Sequence, residues 1–490
     1  MKSVNHSDIG NLYARHPADG VTSDQILDLY KSVVVEDAAE AEKAAFVAAQ
    51  FADVAALRIL FDGGVSPSVI DSLGFTLLHR IAKESDMKYY RAHADAFKET
   101  IELLLDNRVG VLKKDGNEGL CCYHYAARRA NWHFVQVLRE RGVKLDMIGK
   151  NGVTALHELV EYFYVNRYST YAPKNDDDEK EVRDFISTAE EFIAAGLDLG
   201  ARDDYGNTVG DLVISKKAAK LFGLLVPDKN VFQAIYLRTY DEIPGLVVGN
   251  LNAVCETNTH GLRDFKGLTP LGMACREIDD VAVSILLDAG ADANYVSDAG
   301  SVALIELFRA DNLNETVVKE DRINKILGMF VAHNWDKNGI VDSEGNTLLN
   351  FICKSDFCAR GNKGQSVGGQ IIDYLIAKGA EVNAANHSGQ TPLMFACKGE
   401  YEKMESVQIA LLEAGADVTA RDSFARTPLH YAAMGDRDNG AKAMVDMLFS
   451  FGKPDVLAAD NNGKTALDIA TEQGNEETVK YLLGKIEHET

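Results

Sequence analysis

The chain is poor in the residues that mark loop-rich, disulfide-built and membrane proteins. Nine prolines in 490 residues are too few for a Pro-rich or low-complexity segment. Seven cysteines, an odd number with no Cys-x-x-Cys pair, do not make a disulfide framework; they read as reduced thiols of a cytosolic protein. No run of about 18 uncharged apolar residues occurs, so no transmembrane helix is expected. The opening MKSVNHSDIG lacks the apolar stretch of a signal peptide. Positive charge is also short: 51 Lys and Arg stand against 74 Asp and Glu, a net charge of −23. A surface that acidic repels phosphate backbones and anionic leaflets, so neither nucleic acid binding nor membrane insertion is expected. It suits a partner with a basic face. Also missing are a phosphate-binding Gly loop, a kinase signature, a Gly-x-Ser-x-Gly elbow and a His/Cys set at zinc spacing. The expectation is a non-catalytic protein with no metal or cofactor.

What is abundant is a short glycine-led phrase. It reads GFTLLHRIA from Gly74, GLCCYHYAA from Gly119, GVTALHELV from Gly152, GNTVGDLVI from Gly206 and GLTPLGMAC from Gly267. It continues as GSVALIELF from Gly300, GNTLLNFIC from Gly345, GQTPLMFAC from Gly389, ARTPLHYAA from Ala425 and GKTALDIAT from Gly463. A second phrase trails it: LLDAGADAN from Leu286, LIAKGAEVN from Leu375, LLEAGADVT from Leu411. Gly119 to Gly152 and Gly267 to Gly300 are each 33 residues, while Gly74 to Gly119 is 45 and Gly152 to Gly206 is 54. The Gly permits a positive φ where the chain turns into a helix. Thr391 is placed to cap that helix and Pro392 to occupy its first position, where a missing N–H is harmless. Leu393 and Ala396 then supply an apolar face, and Gly415 ends the following helix.

On these phrases and this period the chain resembles the ankyrin-repeat family throughout. The resemblance implies an all-α ankyrin-repeat solenoid of helix-turn-helix units joined by hairpin fingers, each unit burying its apolar face on the next. About twelve units are expected, counting eroded ones that start near Ala44 and Val231. Residues 1–40 are read as a tail and a capping helix from Thr22 to Tyr30, and residues 41–490 as the solenoid. Inserts at about 83–99, 161–186, 309–322 and 353–369 follow the first helix of their units and would decorate one rim. In this family His79, His157 and His430 of the repeated phrase are structural, bonding backbone and bridging adjacent units.

The function expected is binding of protein partners by a monomeric scaffold, through the concave face, the finger tips and the inserted loops. Candidate contact residues are Tyr205, Phe265, Phe424 and His387 on the fingers and Tyr164, Tyr168 and Tyr171 in the insert from Glu161. An aromatic at Phe265 or Phe424 either meets a partner or packs on the next finger, and Tyr162 to Tyr164 either face solvent or lengthen a helix. Leu375, Glu381, Val382 and Asn383 match the site that a cytosolic asparaginyl hydroxylase modifies in ankyrin repeats, making Asn383 a candidate modification site; ordinary repeat consensus accounts for the same residues. Two alternatives accompany the scaffold. One is an effector that an intracellular bacterium delivers into the host cytosol, and the other an enzyme whose site is built from the rim inserts.

Overall fold

The structure, a computed structural model, describes residues 7, 10, 11, 23–84, 92–165, 176–249, 251–255, 262, 265–297, 301–309, 316–355, 361, 362, 365–398, 401–435 and 440–489. Each glycine-led phrase becomes a turn followed by a short helix. Gly389 has a φ of 74°, and a Cβ there would stand 3.0 Å from both Asp422 Cα and Ser423 N. Conformation and close approach to the next finger both require glycine at this place. Ala425 holds the equivalent position with a φ of 59°, a left-handed conformation that costs a residue with a Cβ about 1–2 kcal/mol.

Pro270, Pro392 and Pro428 each open a helix, Pro270–Arg276, Pro392–Lys398 and Pro428–Ala433. Thr269 caps the first of these, its hydroxyl accepting from Gly272 N at 3.1 Å. Thr391 does not act as the expected cap. Its hydroxyl is buried without a hydrogen-bond partner among the described residues, and its N–H meets Met394 Sδ at 3.5 Å. Other units place a His, Asn or Asp where this one has Met394, and a thioether is too weak an acceptor to take the hydroxyl proton.

Helix pairs follow one another from Ala38–Gln50 with Val54–Asp62 to Ala466–Gln473 with Glu476–Glu489. The helix Ser23–Glu36 precedes them, running beyond the expected Thr22 to Tyr30 and burying Ile26, Tyr30 and Val33. Asp37 starts the next helix at once by accepting from Ala39 N at 2.8 Å, so the boundary expected at residue 40 falls inside Ala38–Gln50. The eroded phrase at Val231 does form a helix. Asn230 accepts from Gln233 N, and Gln233 Oε1 accepts from Asn230 N, both at 3.0 Å, a reciprocal cap for Val231–Leu237.

The extra residues of the long units lie between first and second helices, and several of the described ones extend those helices. The unit from Gly152 has Ala155–Val165 and the 19-residue helix Asp176–Ala194. Thr316–Ala332 begins within the 309–322 insert. The insert at 353–369 contains something the all-α expectation left out: Gly361–Asn362 pairs antiparallel with Gln365–Ser366, Gly361 opposite Ser366.

The chain divides into two compact units, Met1–Lys229 with Thr259–Gly261, and Asn230–Asn258 with Leu262–Thr490. Phe97, Phe134, Phe163, Phe192 and Phe222 are wholly buried in the first, and Phe330 in the second, each such side chain contributing about 1.5–3 kcal/mol of burial. Neighbouring fingers are joined by single backbone bonds. In the first unit these run from Gly116 N to Leu73 O (2.8 Å), Lys150 N to Glu118 O (3.2 Å) and Asp204 N to Asn151 O (2.9 Å). In the second they run from His387 N to Glu344 O (3.1 Å), Ser423 N to Ser388 O (2.9 Å) and Asn461 N to Phe424 O (2.9 Å). No helix among the described residues is long and apolar enough to cross a membrane.

Candidate protein-interaction surface

The fingers are held rigid by an acidic residue that the sequence reading passed over. Asp203 Oδ1 accepts from Tyr205 N at 3.0 Å and Asn207 N at 2.8 Å. Asp422 Oδ1 accepts from Phe424 N and Arg426 N, both at 2.8 Å. Asp71, Asp342, Asn386 and Asp460 make the same two bonds in their own units. A side chain that closes its own turn in this way mimics backbone. The signal was present: Asp or Asn recurs three residues before the phrase's Gly.

The phrase's histidines bridge units. His79 Nδ1 accepts from Thr76 N (3.2 Å) and contacts Thr76 Oγ1 (2.9 Å), while Nε2 donates to Leu120 O of the next unit at 3.1 Å. His157 reaches Asn207 O at 3.1 Å, and His430 reaches Lys464 O at 3.2 Å, in the same way. Burial holds the His79 and His430 imidazoles below the usual range. For His79 and His430 a second proton would also turn Nδ1 from acceptor into donor against a Thr N–H. Burial pushes His124 down to about 4 and the thiol of Cys122, two residues before it, well up. Both are therefore uncharged at neutral pH. Burial raises the Cys275 and Cys397 thiols too, Cys397 to about 12. Among the described residues no three His, Cys, Asp or Glu side chains come together to hold a metal ion.

Charges and rings interleave along the first helices. The Arg128 guanidinium lies 5.1 Å from the Tyr125 ring and 5.0 Å from the Tyr162 ring. It donates to Glu158 at 2.7 Å and also binds Glu118. Lys83 Nζ sits 4.5 Å over the Phe75 ring. In the second unit Arg276 and Arg309 close on Glu306, whose side chain is 2% exposed.

Of the candidate contact residues, Tyr205 and Phe424 project from finger tips, 78% and 53% exposed. Phe424 is backed by the Arg426 guanidinium at 5.2 Å. His387 is exposed as well, with its ring lying over Gly345 of the preceding finger: a Cβ added there would be 2.3 Å from Cδ2. Phe265 is corrected. It is 5% exposed and packs edge-on against Tyr236 at 6.3 Å, so it is a packing residue. Phe163 is wholly buried and Tyr162 half-buried in a helix that runs to Val165, so these two lengthen the helix and pack. The side chain of Tyr164 and all of Tyr168 and Tyr171 lie outside the described residues. Asn383 is exposed, and its amide ties two turns together, donating to Gly415 O at 3.2 Å and accepting from Asp417 N at 2.8 Å. Asn294 links Asn334 O and Asp336 N in the same manner.

Stacked helix pairs, self-closed fingers and His-to-carbonyl bridges define a helical repeat protein. A family model described as ankyrin repeats, three copies, matches residues 363–446 and 402–490. The matched residues, 363–490, are ankyrin repeats, which are in general protein–protein interaction modules.

Proposed function

We propose that the chain is a non-catalytic scaffold that binds protein partners through its finger tips and the adjoining first helices. The insert-bearing rim serves as a further contact region. One contrast supports this reading most. The histidines of the repeated phrase are taken up by bonds within and between units, whereas Tyr205 and Phe424 stand out on fingers that Asp203 and Asp422 hold closed. An aromatic on a rigid support loses little conformational entropy when it is buried by a partner, which is how binding hot spots are built. The test is affinity capture from a eukaryotic lysate with the full chain, read by mass spectrometry. A partner held by the wild type is expected to be lost with Tyr205→Ala or Phe424→Ala while the melting temperature stays put. Retention by both variants and by their double would overturn the assignment of this surface.

A further inference from the structure

Two adjacent fingers of the first unit, residues 110–120 and 143–153, carry four lysines against three carboxylates, although the whole chain stands at −23. Lys113 and Lys114 stand on one finger, and Lys144 and Lys150 on the next. All four are exposed, and none forms an ion pair with a described residue. Of the carboxylates on these two fingers, Asp146 is exposed and the other two are engaged. Asp115 is 5% exposed and accepts from Asn117 N, Glu118 N and Leu120 N, and Glu118 is bound to Arg128. The residue just before each finger turn occupies an equivalent place: Ile70, Lys114, Ile148 and Arg202 on four successive fingers. Ile70 and Arg202 make the same antiparallel bridge, to Thr76 and Thr208. Ile70 is 46% exposed and Ile148 52%, while Lys114 and Arg202 are exposed too, so the row alternates apolar and cationic groups. In the second unit the corresponding places include Ala385, Arg421 and Ala459, among fingers bearing Asp336, Asp342, Glu344, Glu381 and Asp417.

We propose that this row docks a protein segment of acidic chemistry in which carboxylates are interleaved with apolar side chains, Lys113 and Lys150 adding attraction beside it. The proposal rests on the scaffold reading and narrows it to one partner class for the first unit. It reverses what the net charge suggests, because docking answers to the local field within about a Debye length and not to the total charge. Isolated lysines would attract any polyanion. Exposed isoleucines between them favour a chain with apolar groups over a phosphate backbone.

The test uses the full chain and a fluorescein-labelled peptide of repeating Glu-Glu-Leu-Leu, which as a strand presents both groups alternately on each face. Lys-Lys-Leu-Leu and a single-stranded dT oligonucleotide are the comparison probes. Fluorescence anisotropy is expected to show the acidic peptide binding and weakening with salt. Lys114→Glu with Lys150→Glu should weaken it by about tenfold or more, Ile148→Ser should weaken it less, and Lys453→Glu on a second-unit finger should leave it unchanged. These side chains are exposed, so melting temperatures should hold. Equal binding by the doubly reversed variant, preference for either comparison probe, or no binding of the acidic peptide would overturn the proposal. A partner captured from lysate that the doubly reversed variant still holds would leave the scaffold reading intact and overturn this one.

Discussion

One position, five residues after the phrase's glycine, shows how a single side chain sets what a unit can do. His79, His157 and His430 both close their own helix start and reach the next unit. Asn350 does both jobs with an amide, its oxygen taking the Thr347 hydroxyl at 2.5 Å and its nitrogen reaching Ala384 O and Gln390 O at 3.0 and 3.1 Å. Asp211 and Asp468 keep only the local half, accepting from Thr208 and Thr465, since a carboxylate has no proton to offer a carbonyl. Gly272 does neither, and Met394 offers only a weak thioether acceptor to Thr391 N. A buried neutral imidazole also makes stability depend on pH. His79, His124 and His430 have folded values below the unfolded value of about 6.5. Their contribution is therefore complete above about pH 6.5 and is lost as pH falls toward the folded values, about 4 for His124. For His124 the loss approaches about 3 kcal/mol. Asp115 and Asp468 are held low by backbone N–H groups, which outweigh desolvation at Asp115, and withdraw their share only below about pH 3.8, their unfolded range. Urea unfolding between pH 7.5 and 4.5 should thus show falling stability well above the carboxylate range. His124→Asn should flatten the dependence, and an unchanged slope in that variant would remove His124 from the account.

Between helices, the two 33-residue intervals share an Arg–Glu pair at the same two places. Arg128 and Glu158 join the first helices across one 33-residue step, and Arg276 and Glu306 occupy the same two places across the other. The side chains of Arg128 and Glu158 are 13% and 10% exposed, so removing one leaves the other desolvated. Arg128→Ala is expected to cost about 3 kcal/mol, whereas Arg128→Met with Glu158→Leu should cost much less than the two single changes together. A double-mutant cycle with additive terms would show that the pair does not act as a link. The glycine-led turns, the Thr-Pro helix starts and the bridging histidines were legible in the sequence because each depends on residues a few places apart. Elements decided by distant packing were not. Phe265 reads like an exposed fingertip and is buried because Tyr236, from a unit with an eroded phrase, lies against it. Tyr162 and Phe163 read equally as loop aromatics or helix, and the choice is made by Arg128 and by Phe185, 5.2 Å from Phe163. The strand pair at Gly361–Asn362 and Gln365–Ser366 is two residues long on each side, too short for any alternation to show. The lysine row was hidden for the opposite reason: summing charge over the whole chain averaged it away.

At the scale of the whole chain, repetition is what allows a protein of this length to be assembled from contacts between neighbours. Stability is then a sum of unit terms and nearest-neighbour terms, and it need not be lost in one step. Each of the two compact units has its own buried aromatic and aliphatic core. The boundary at Lys229 and Asn230 falls where the first helices carry few bridging groups. Thr208 and Asp211 cap their helix only locally, and Asn230 and Gln233 satisfy each other. Helix starts that make only local caps among the described residues should be where cooperativity is weakest. Urea unfolding followed by hydrogen exchange and mass spectrometry is therefore expected to resolve two transitions, one for peptides before residue 229 and one for peptides after 262. Arg128→Ala should move the first and leave the second in place. A single transition, shifting as a whole in that variant, would mean that neighbour terms across the boundary are as strong as those within each unit.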